Sequence, residues 1–347
     1  MTVLTSRPPS GADVADVTGI DVRRAPVLRD RDGYVRGYLQ YMSFDIPLAF
    51  RLLFVRRPDV VVVEPPPTTG TVVRVVCALR RIPYVYYAAD VWTDAAANAT
   101  SSGVVLRVLR ALEGFAWRGA RSVLSVSESM TGRLAQLGVA DRVVTVGNGV
   151  DAAHFGSDGG KVDLGSPFLV YTGTASEVHG ADIFARAFTR VHAEHPDARL
   201  VFVGQGSDWP LLERLAAALP AGALQLVPRV PPQEVAGWLR GARAALASVK
   251  PGTGYDFAFP TKLYAAALCG TPSVFAGEGP AASFLDGSPA GVAVAYDEVK
   301  VAAAMAAALD GDAPAERREA IRRWARSKAS GEAVAQRAAD VVGAAAR

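Results

Sequence analysis

The sequence predicts an α/β fold made of two domains, each built around a mostly parallel sheet. Short runs of apolar, β-branched residues alternate with stretches of helical periodicity along nearly the whole chain, as in βαβ units. The alternation is interrupted at 156–165, a segment rich in Gly and Asp that is typical of a linker, and a second series begins after it. A length of 347 residues also favours two domains.

In the first series, the four valines at 60–63 are typical of a parallel strand that is covered on both faces. The predicted strands are 1–5, 20–27, 60–63, 84–88, 122–126 and 142–146, and the predicted helices are 38–55 with an interruption near Pro47, 71–81, 103–121 and 128–137. Asp90 follows the strand 84–88 directly. Because ligands bind at the carboxyl ends of strands in open α/β sheets, Asp90 is a candidate site residue, and a capping or turn role is the alternative.

The predicted helix 103–121 has an apolar face and several arginines. A basic amphipathic helix can lie on an anionic membrane. The favoured alternative is a core-facing helix with a solvated rim.

In the second series, the predicted strands are 168–171, 199–203, 224–227, 244–248 and 273–275, and the predicted helices are 181–193, 210–218, 231–241, 263–268, 302–309 and 316–346. Pro260, Thr261 and Lys262 precede the short helix 263–268, and a helix entrance with a Thr and a Lys favours an anion, most plausibly phosphate. Gly173 ends the first strand of this series, where a glycine would let a phosphate approach the backbone; a simple strand-to-loop turn is the alternative. Together the two loops indicate a ligand with a diphosphate.

Composition and spacing exclude several other classes of protein. A net charge of +3 argues against nucleic-acid binding. Gly204-Gln205-Gly206 lacks the third glycine of a dinucleotide fingerprint, because Trp209 stands there, so a nicotinamide enzyme is rejected. Cys77 and Cys269 are expected to be buried thiols, and the four histidines have no metal-ligand spacing. Without a bilayer-spanning stretch or a signal-like start, the chain is expected in the cytoplasm.

Seven short motifs follow one another along nearly the whole chain. They are Pro58-Asp59-Val60, Asp90-Val91-Trp92, Ser125-Val126-Ser127-Glu128, Val146-Gly147-Asn148-Gly149-Val150-Asp151 with Phe155, Tyr171-Thr172-Gly173, Val203-Gly204-Gln205-Gly206, and Pro260-Thr261-Lys262-Leu263-Tyr264 with Gly270-Thr271-Pro272. In this order they resemble the retaining glycosyltransferases of family four, most of all bacterial transferases of surface-polysaccharide or natural-product pathways.

The resemblance implies the GT-B fold, in which two Rossmann-like domains face each other across a cleft. Residues 1–156 would form the acceptor-side domain and 157–325 the nucleotide-sugar domain, with a C-terminal helix in 326–347 packing back on the first. This family begins with a strand, a glycine-rich turn and a helix before the strand that 1–5 resembles. The first domain is therefore expected to lack its first strand–helix unit.

The same resemblance implies the site residues by position. The implied donor-binding residues are Gly173, Thr174, Arg229, Val230, Asp256, Thr261 and Lys262. The implied acceptor-side residues are Thr68, Thr69 and Trp92. Asp90 and Lys262 would have catalytic roles, Lys262 by stabilising the negative charge that grows on the leaving diphosphate. No metal and no cofactor other than the nucleotide-sugar co-substrate is implied.

Two further departures from the family concern the donor site. The family has two glutamates eight residues apart, and Phe257 and Ala265 occupy those positions here, with Asp256 as a substitute for the first. Thr174 and His179 replace an Arg and a Lys that contact the diphosphate in the family, which predicts weaker diphosphate binding.

The leading hypothesis is a metal-independent retaining glycosyltransferase that uses a nucleotide-diphosphate sugar. Its acceptor is not specified, and a lipid-linked acceptor is one alternative. The second hypothesis is a catalytically impaired sugar-nucleotide-binding or partner protein, favoured by Phe257, Ala265 and the expected absence of the first strand–helix unit. A sugar-nucleotide epimerase is the third, although candidate acid–base residues are few.

Overall fold

The computed structural model describes residues 1–9, 14, 16, 18–30, 33, 35, 37–99, 102–253, 258–311 and 313–347. The chain divides into two compact units: Met1–Val146 with Ala338–Arg347, and Gly147–Arg337. The sequence placed the boundary at 156, ten residues further along the chain. The expected linker 156–165 is part of the second unit, where Val162 packs on the core and its N–H donates to the carbonyl of Gly237.

Up to residue 146, the described part of the first unit holds six strands and five α-helices, with a π-helical turn at Ala135–Val139 and a 3-10 turn at Ala140–Arg142. They are β1 (Thr2–Ser6), β2 (Asp21–Ala25), α1 (Tyr38–Phe54), β3 (Val61–Val63), α2 (Pro67–Arg80), β4 (Tyr84–Ala88), α3 (Trp92–Ala99), α4 (Gly103–Gly119), β5 (Ser122–Ser125), α5 (Glu128–Leu134) and β6 (Val143–Thr145). The sheet β3-β4-β5-β6 is parallel throughout. Leu48 of α1, Val73 of α2 and Trp117 of α4 share one core cluster, so these helices cover the same face of the sheet.

Before residue 30, the described elements are β1 and β2, which pair in parallel as a separate two-stranded sheet. Two predictions in this unit are wrong. Helix α1 continues through Pro47, since packing of Leu48 and Leu52 on the core holds it together despite the missing N–H. Helix α2 begins at Pro67 instead of residue 71, because proline fits the first helical position.

The second unit has a six-stranded parallel sheet. Its elements are β7 (Phe168–Thr174), α6 (Asp182–Glu194), β8 (Arg199–Gln205), α7 (Trp209–Ala217), β9 (Leu224–Pro228), α8 (Pro232–Gly241), β10 (Ala244–Ser248), α9 (Lys262–Leu268), β11 (Ser273–Ala276), α10 (Pro280–Leu285), β12 (Gly291–Val294), α11 (Glu298–Asp310) and α12 (Ala315–Ala329). The edge strand β12 and the helix α10 were not predicted, because each has only a few residues.

The strand order β12-β11-β10-β7-β8-β9 places the site. From β7 the chain builds outward through β8 and β9, and it then returns to the other side of β7 with β10, β11 and β12. The order therefore reverses between β7 and β10. In open α/β sheets, ligands bind outside the carboxyl ends of the strands at such a reversal point.

The last helix, α13 (Gly331–Ala346), begins after a break at Ser330. Its final turns belong to the first unit, where Val341, Val342 and Ala345 pack with Val85 and Leu124. Of the helices in the described ranges, none is long and apolar enough to cross a membrane.

Candidate functional site

The carboxyl ends of β7 and β10 meet at the reversal point of the second sheet. Leu246 of β10 pairs with Tyr171 of β7, and Gly173 of β7 pairs with Gly204 of β8. Lys262 begins α9, the helix that follows β10. The structure thus brings two of the predicted donor-binding positions, Gly173 and Lys262, to one edge: a Cβ atom added at Gly173 would lie 3.7 Å from Lys262 Nζ.

The side chain of Lys262 has an unusual environment. Its ammonium lies 3.5 Å from the centroid of the Tyr171 ring, a cation–π contact with a buried tyrosine. Nζ is inaccessible to water and makes no hydrogen bond to any residue in the described ranges. Burial lowers the pKa of Lys262 to about 7. A buried ammonium without a carboxylate partner is costly, which favours an anionic ligand beside it.

Tyr171 also shapes the loop that follows β7. Its hydroxyl donates to the carbonyl of Thr174 at 2.8 Å, and its ring packs against Phe184 and Phe202. The ring therefore contacts the Lys262 ammonium, and the hydroxyl holds the backbone at Thr174 in place. The role of Tyr171 was missed, because a tyrosine inside an apolar strand gives no sequence signal for it.

A second basic group lies close to Lys262. His179 Nδ1 lies 2.8 Å from Ser176 Oγ in the loop after β7. Burial, and then the charge of Lys262, lower the pKa of His179, so the imidazole is neutral in the empty site. A bound anion would raise the pKa of both Lys262 and His179, because negative charge favours their protonated forms.

Glycines let the backbone approach a ligand at this edge. Gly173 has φ +103°, a conformation that side chains disfavour. A Cβ atom at Gly204 would lie 2.0 Å from the carbonyl oxygen of Gly173, so the two strand ends can pair this closely only without a side chain there. Thr174 is exposed beside them.

The remaining predicted donor residues have different surroundings. Thr261 is exposed and precedes α9 without capping it, and Pro260 lies outside the helix, contrary to the expectation of a proline in its first turn. Arg229 and Val230 follow β9, two strands from β7. Asp256 lies outside the described residues.

Ala265 occupies the position expected for a ribose-binding glutamate. It is buried in a core cluster that contains Val170 and Val201. Phe257, which occupies the position of the other family glutamate, is not among the described residues.

In the first unit, the predicted acceptor-side residues are near the carboxyl ends of β3 and β4. Thr68 and Thr69 lie in the first turn of α2, not in a loop, and Thr69 Oγ1 donates to Asp45 Oδ1 at 2.5 Å. The second oxygen of Asp45 and the Thr68 hydroxyl are also buried, and the Thr68 hydroxyl interacts with the Asp45 carboxyl group. Burial raises the pKa of Asp45. Asp45 was missed, although a lone carboxylate in an apolar helix could have indicated it.

Asp90 is exposed just after β4, and Trp92 begins α3. The Trp92 ring meets Tyr41 edge-on, with centroids 5.8 Å apart. Glu113 of α4 accepts a hydrogen bond from the Trp92 N–H at 2.7 Å and others from Thr93. Burial raises the pKa of Glu113 despite these bonds. Glu113 thus fixes the backbone at the start of α3.

No group of three or more His, Cys, Asp and Glu residues in the described part of the chain is arranged to hold a metal ion. Both cysteines are buried free thiols, and burial raises the pKa of Cys77 to about 11 and that of Cys269 to about 12.

Comparison with known proteins identifies the class to which this architecture belongs. Residues 1–149 match the family model described as "Glycosyl transferase 4-like domain", and residues 166–311 match that of "Glycosyl transferases group 1". The two matches together cover most of the chain. With its two parallel-sheet domains, the chain belongs to the glycosyltransferases of the GT-B fold.

Individual relatives agree with this class. The chain is 28% identical over 223 residues to glycogen synthase of Mycobacterium tuberculosis, a match that covers 62% of this chain and 52% of that protein. The chain thus spans about half the length of this curated relative. The crystal structure of Anabaena HepE in complex with UDP has a TM-score of 0.69 at 15% identity, covering 94% of this chain and 86% of that one. Sucrose-phosphate synthase from Thermosynechococcus elongatus has a TM-score of 0.70 at 14% identity, covering 98% and 87%. At these identities the two structures show the shared fold.

Proposed function

We propose that the protein is a retaining glycosyltransferase that moves a sugar from a nucleotide-diphosphate sugar to an acceptor hydroxyl. The observation that carries the proposal is the buried, unpartnered ammonium of Lys262 beside Gly173, at the strand reversal of the second sheet. A diphosphate supplies the negative charge that this position lacks. The solved structure of Anabaena HepE contains UDP, which makes UDP-sugars the first donors to test.

The chemistry proposed for Lys262 is charge stabilisation. The bond between the anomeric carbon and the phosphate oxygen breaks, and the acceptor oxygen forms a bond on the same face of the sugar. The acceptor proton passes to the departing phosphate oxygen. Lys262 stabilises the charge on the leaving diphosphate, and backbone groups at Gly173 and Thr174 contact it. No protein nucleophile is required for this route.

We assign the first unit to the acceptor. Asp90 and Trp92 would contact the acceptor or the transferred sugar, and Thr68 and Thr69 would line the same edge of the first sheet. Asp45 would hold α2 in place through Thr69. Arg229 and Val230 would contact the nucleotide base, while Asp256 and Thr261 complete the donor set.

The first test is a thermal-shift screen with UDP-, GDP- and dTDP-sugars. One nucleotide class should raise the melting temperature of the wild-type protein. Lys262→Ala should remove most of that shift, whereas Lys300→Ala, an exposed lysine on α11, should keep it. Equal shifts in the two variants would remove Lys262 from the donor site.

The second test measures release of the free nucleoside diphosphate with and without a panel of acceptors. A transferase releases it faster with an acceptor, and NMR of the product should show the anomeric configuration of the donor. Donor binding without release under any condition would indicate a binding protein. Full activity with a metal chelator is also expected, as is a location on the cytoplasmic side of the membrane.

A further inference from the structure

The outer side of the helical layer in the first unit carries a second surface with its own chemistry. Helices α1, α2 and α4 cover one face of the sheet, with Leu48, Val73 and Trp117 buried against it. With 3.6 residues per turn, the opposite side of each helix points away from the sheet. The apolar side chains there are Leu39, Ile46, Phe50, Val75, Val104, Val108 and Phe115, and each is at least 37% exposed. We call this set, with Arg74, Arg107, Arg110 and Arg118, the outer face.

The charge on the outer face has one sign. The three helices contain six arginines, Arg51, Arg74, Arg80, Arg107, Arg110 and Arg118, and only two carboxylates. Both carboxylates point into the protein, since Asp45 is 0% and Glu113 is 1% exposed. The outer face is therefore apolar and cationic, a combination that suits the surface of an anionic bilayer.

Two features join α4 to this surface. Arg74 of α2 lies 3.9 Å from the Phe115 ring centroid of α4, so a guanidinium covers the aromatic ring between the helices. On the other flank of α4 is a cavity of about 350 Å³ lined by Arg107, Arg110 and Arg118. The one carboxylate that lines it, Glu113, is already hydrogen-bonded to Trp92 and Thr93.

Gly114 lies beside one of these guanidinium groups. A Cβ atom at Gly114 would lie 2.8 Å from the Arg118 guanidinium, so the absence of a side chain at residue 114 leaves room for Arg118 in its present position. Three guanidinium groups around one cavity favour an anion such as a phosphate group.

We propose that the outer face docks on an anionic phospholipid bilayer, with Phe50, Val108 and Phe115 entering the interface and Arg107, Arg110 and Arg118 binding lipid phosphates. Apolar contact and several cations are both needed, because neither alone gives stable binding at an interface. Long arginine side chains reach the headgroups while their stems cover apolar surface. The surface belongs to one unit, so docking does not depend on transferase activity.

The test is co-sedimentation of the full chain with phosphatidylcholine vesicles that contain about 30% phosphatidylglycerol, against vesicles of phosphatidylcholine alone. Wild type should bind the anionic vesicles, less strongly at high salt. Arg107→Gln with Arg110→Gln should weaken binding about 25-fold, because each arginine near an anionic surface contributes about fivefold. Phe50→Gln should weaken it about tenfold.

Arg323→Gln with Arg326→Gln is the matched control. These arginines are exposed on α12 with the same spacing and charge, and their loss should leave vesicle binding unchanged. Circular dichroism and melting temperature check that all variants fold. Equal weakening in both double variants would show nonspecific charge and overturn the docking site.

Three other outcomes also overturn the proposal. Wild type could fail to bind anionic vesicles while light scattering shows a dimer that Phe50→Gln dissociates, which assigns the outer face to a second copy of the chain. Inorganic phosphate could release the protein from vesicles more than chloride does at matched ionic strength, which assigns the cavity to free phosphate. Unchanged binding by Phe50→Gln would exclude insertion of α1.

Discussion

Raising the pH from 7 to 8.5 should weaken binding of UDP-glucose, because binding needs a proton on Lys262. In the empty protein the pKa of Lys262 is about 7, since burial disfavours the ammonium and Nζ has no hydrogen-bond partner in the described residues. A diphosphate beside Nζ favours the charged form and raises this pKa again, toward or above its ordinary 10.5. Binding is therefore coupled to proton uptake.

The magnitude follows from the fraction of Lys262 that is already protonated. That fraction is about one half at pH 7 and about one thirtieth at pH 8.5, so affinity should fall about 15-fold across this interval. Between pH 6 and 7 it should change less than about twofold. His179 adds little above pH 7, because its pKa is lowered from 6.5 and it is already neutral there. The phosphates of UDP-glucose are diesters and stay ionised throughout.

Isothermal titration calorimetry measures both the affinity for UDP-glucose and the number of protons taken up on binding. Titrations in buffers with different ionisation enthalpies should give an uptake of about half a proton at pH 7 and nearly one at pH 8.5. Lys262→Met should bind more weakly at pH 7 and show neither the uptake nor the steep pH dependence. Wild-type affinity that is equal at pH 7 and pH 8.5 would refute the coupling, even if the sugar nucleotide binds.

Three other outcomes are expected from single changes. Lys262→Met should stabilise the empty protein at pH 7 by on the order of 2 kcal/mol in thermal unfolding, because it removes an unpartnered buried ammonium. The stability of the wild-type protein should rise with pH between about 7 and 10.5, because the unfolded chain binds more protons than the folded protein in this range. Gly173→Ala should cost about 1 kcal/mol of backbone strain and also weaken UDP-glucose binding, whereas Gly222→Ala, with φ +82° and open space around it, should cost only the strain. Asp45→Asn should be neutral or stabilising in urea denaturation at pH 7, since burial penalises the ionised form of Asp45 and raises its pKa. Asp45→Ala should lower the free energy of unfolding by about 1–3 kcal/mol, because the Thr69 hydroxyl loses its hydrogen-bond partner.

The sequence predicted the parts of the fold that depend on local pattern. The valines before Glu64 form β3, and the two α/β series form two units with parallel sheets. It misjudged Pro47, because tertiary packing of α1 overrides the local cost of a proline. The short edge strand β12 was missed, since four residues give too little periodicity.

For the candidate site too, the sequence predicted what depends on local pattern and missed what depends on contacts between distant residues. Pro260-Thr261-Lys262 and the glycine at 173 are visible as motifs, because their residue types restrict local backbone and charge. The ring of Tyr171 under Lys262, and the Thr69–Asp45 bond, join residues that are 91 and 24 positions apart, respectively. Only strand order and helix packing bring such pairs together, and no local pattern encodes them.

The cost of an unpartnered Lys262 and the diphosphate binding that we propose would follow from the same arrangement of side chains. A structural lysine at this depth would have a carboxylate or carbonyl partner, because an unpaired buried charge destabilises the fold. Here the cation rests on an aromatic ring, and within the described structure its Nζ has no hydrogen-bond partner. Selection for stability alone would not favour that charge, because an uncompensated buried charge destabilises a fold. Its presence at the strand reversal therefore supports the anionic ligand that we propose for this site.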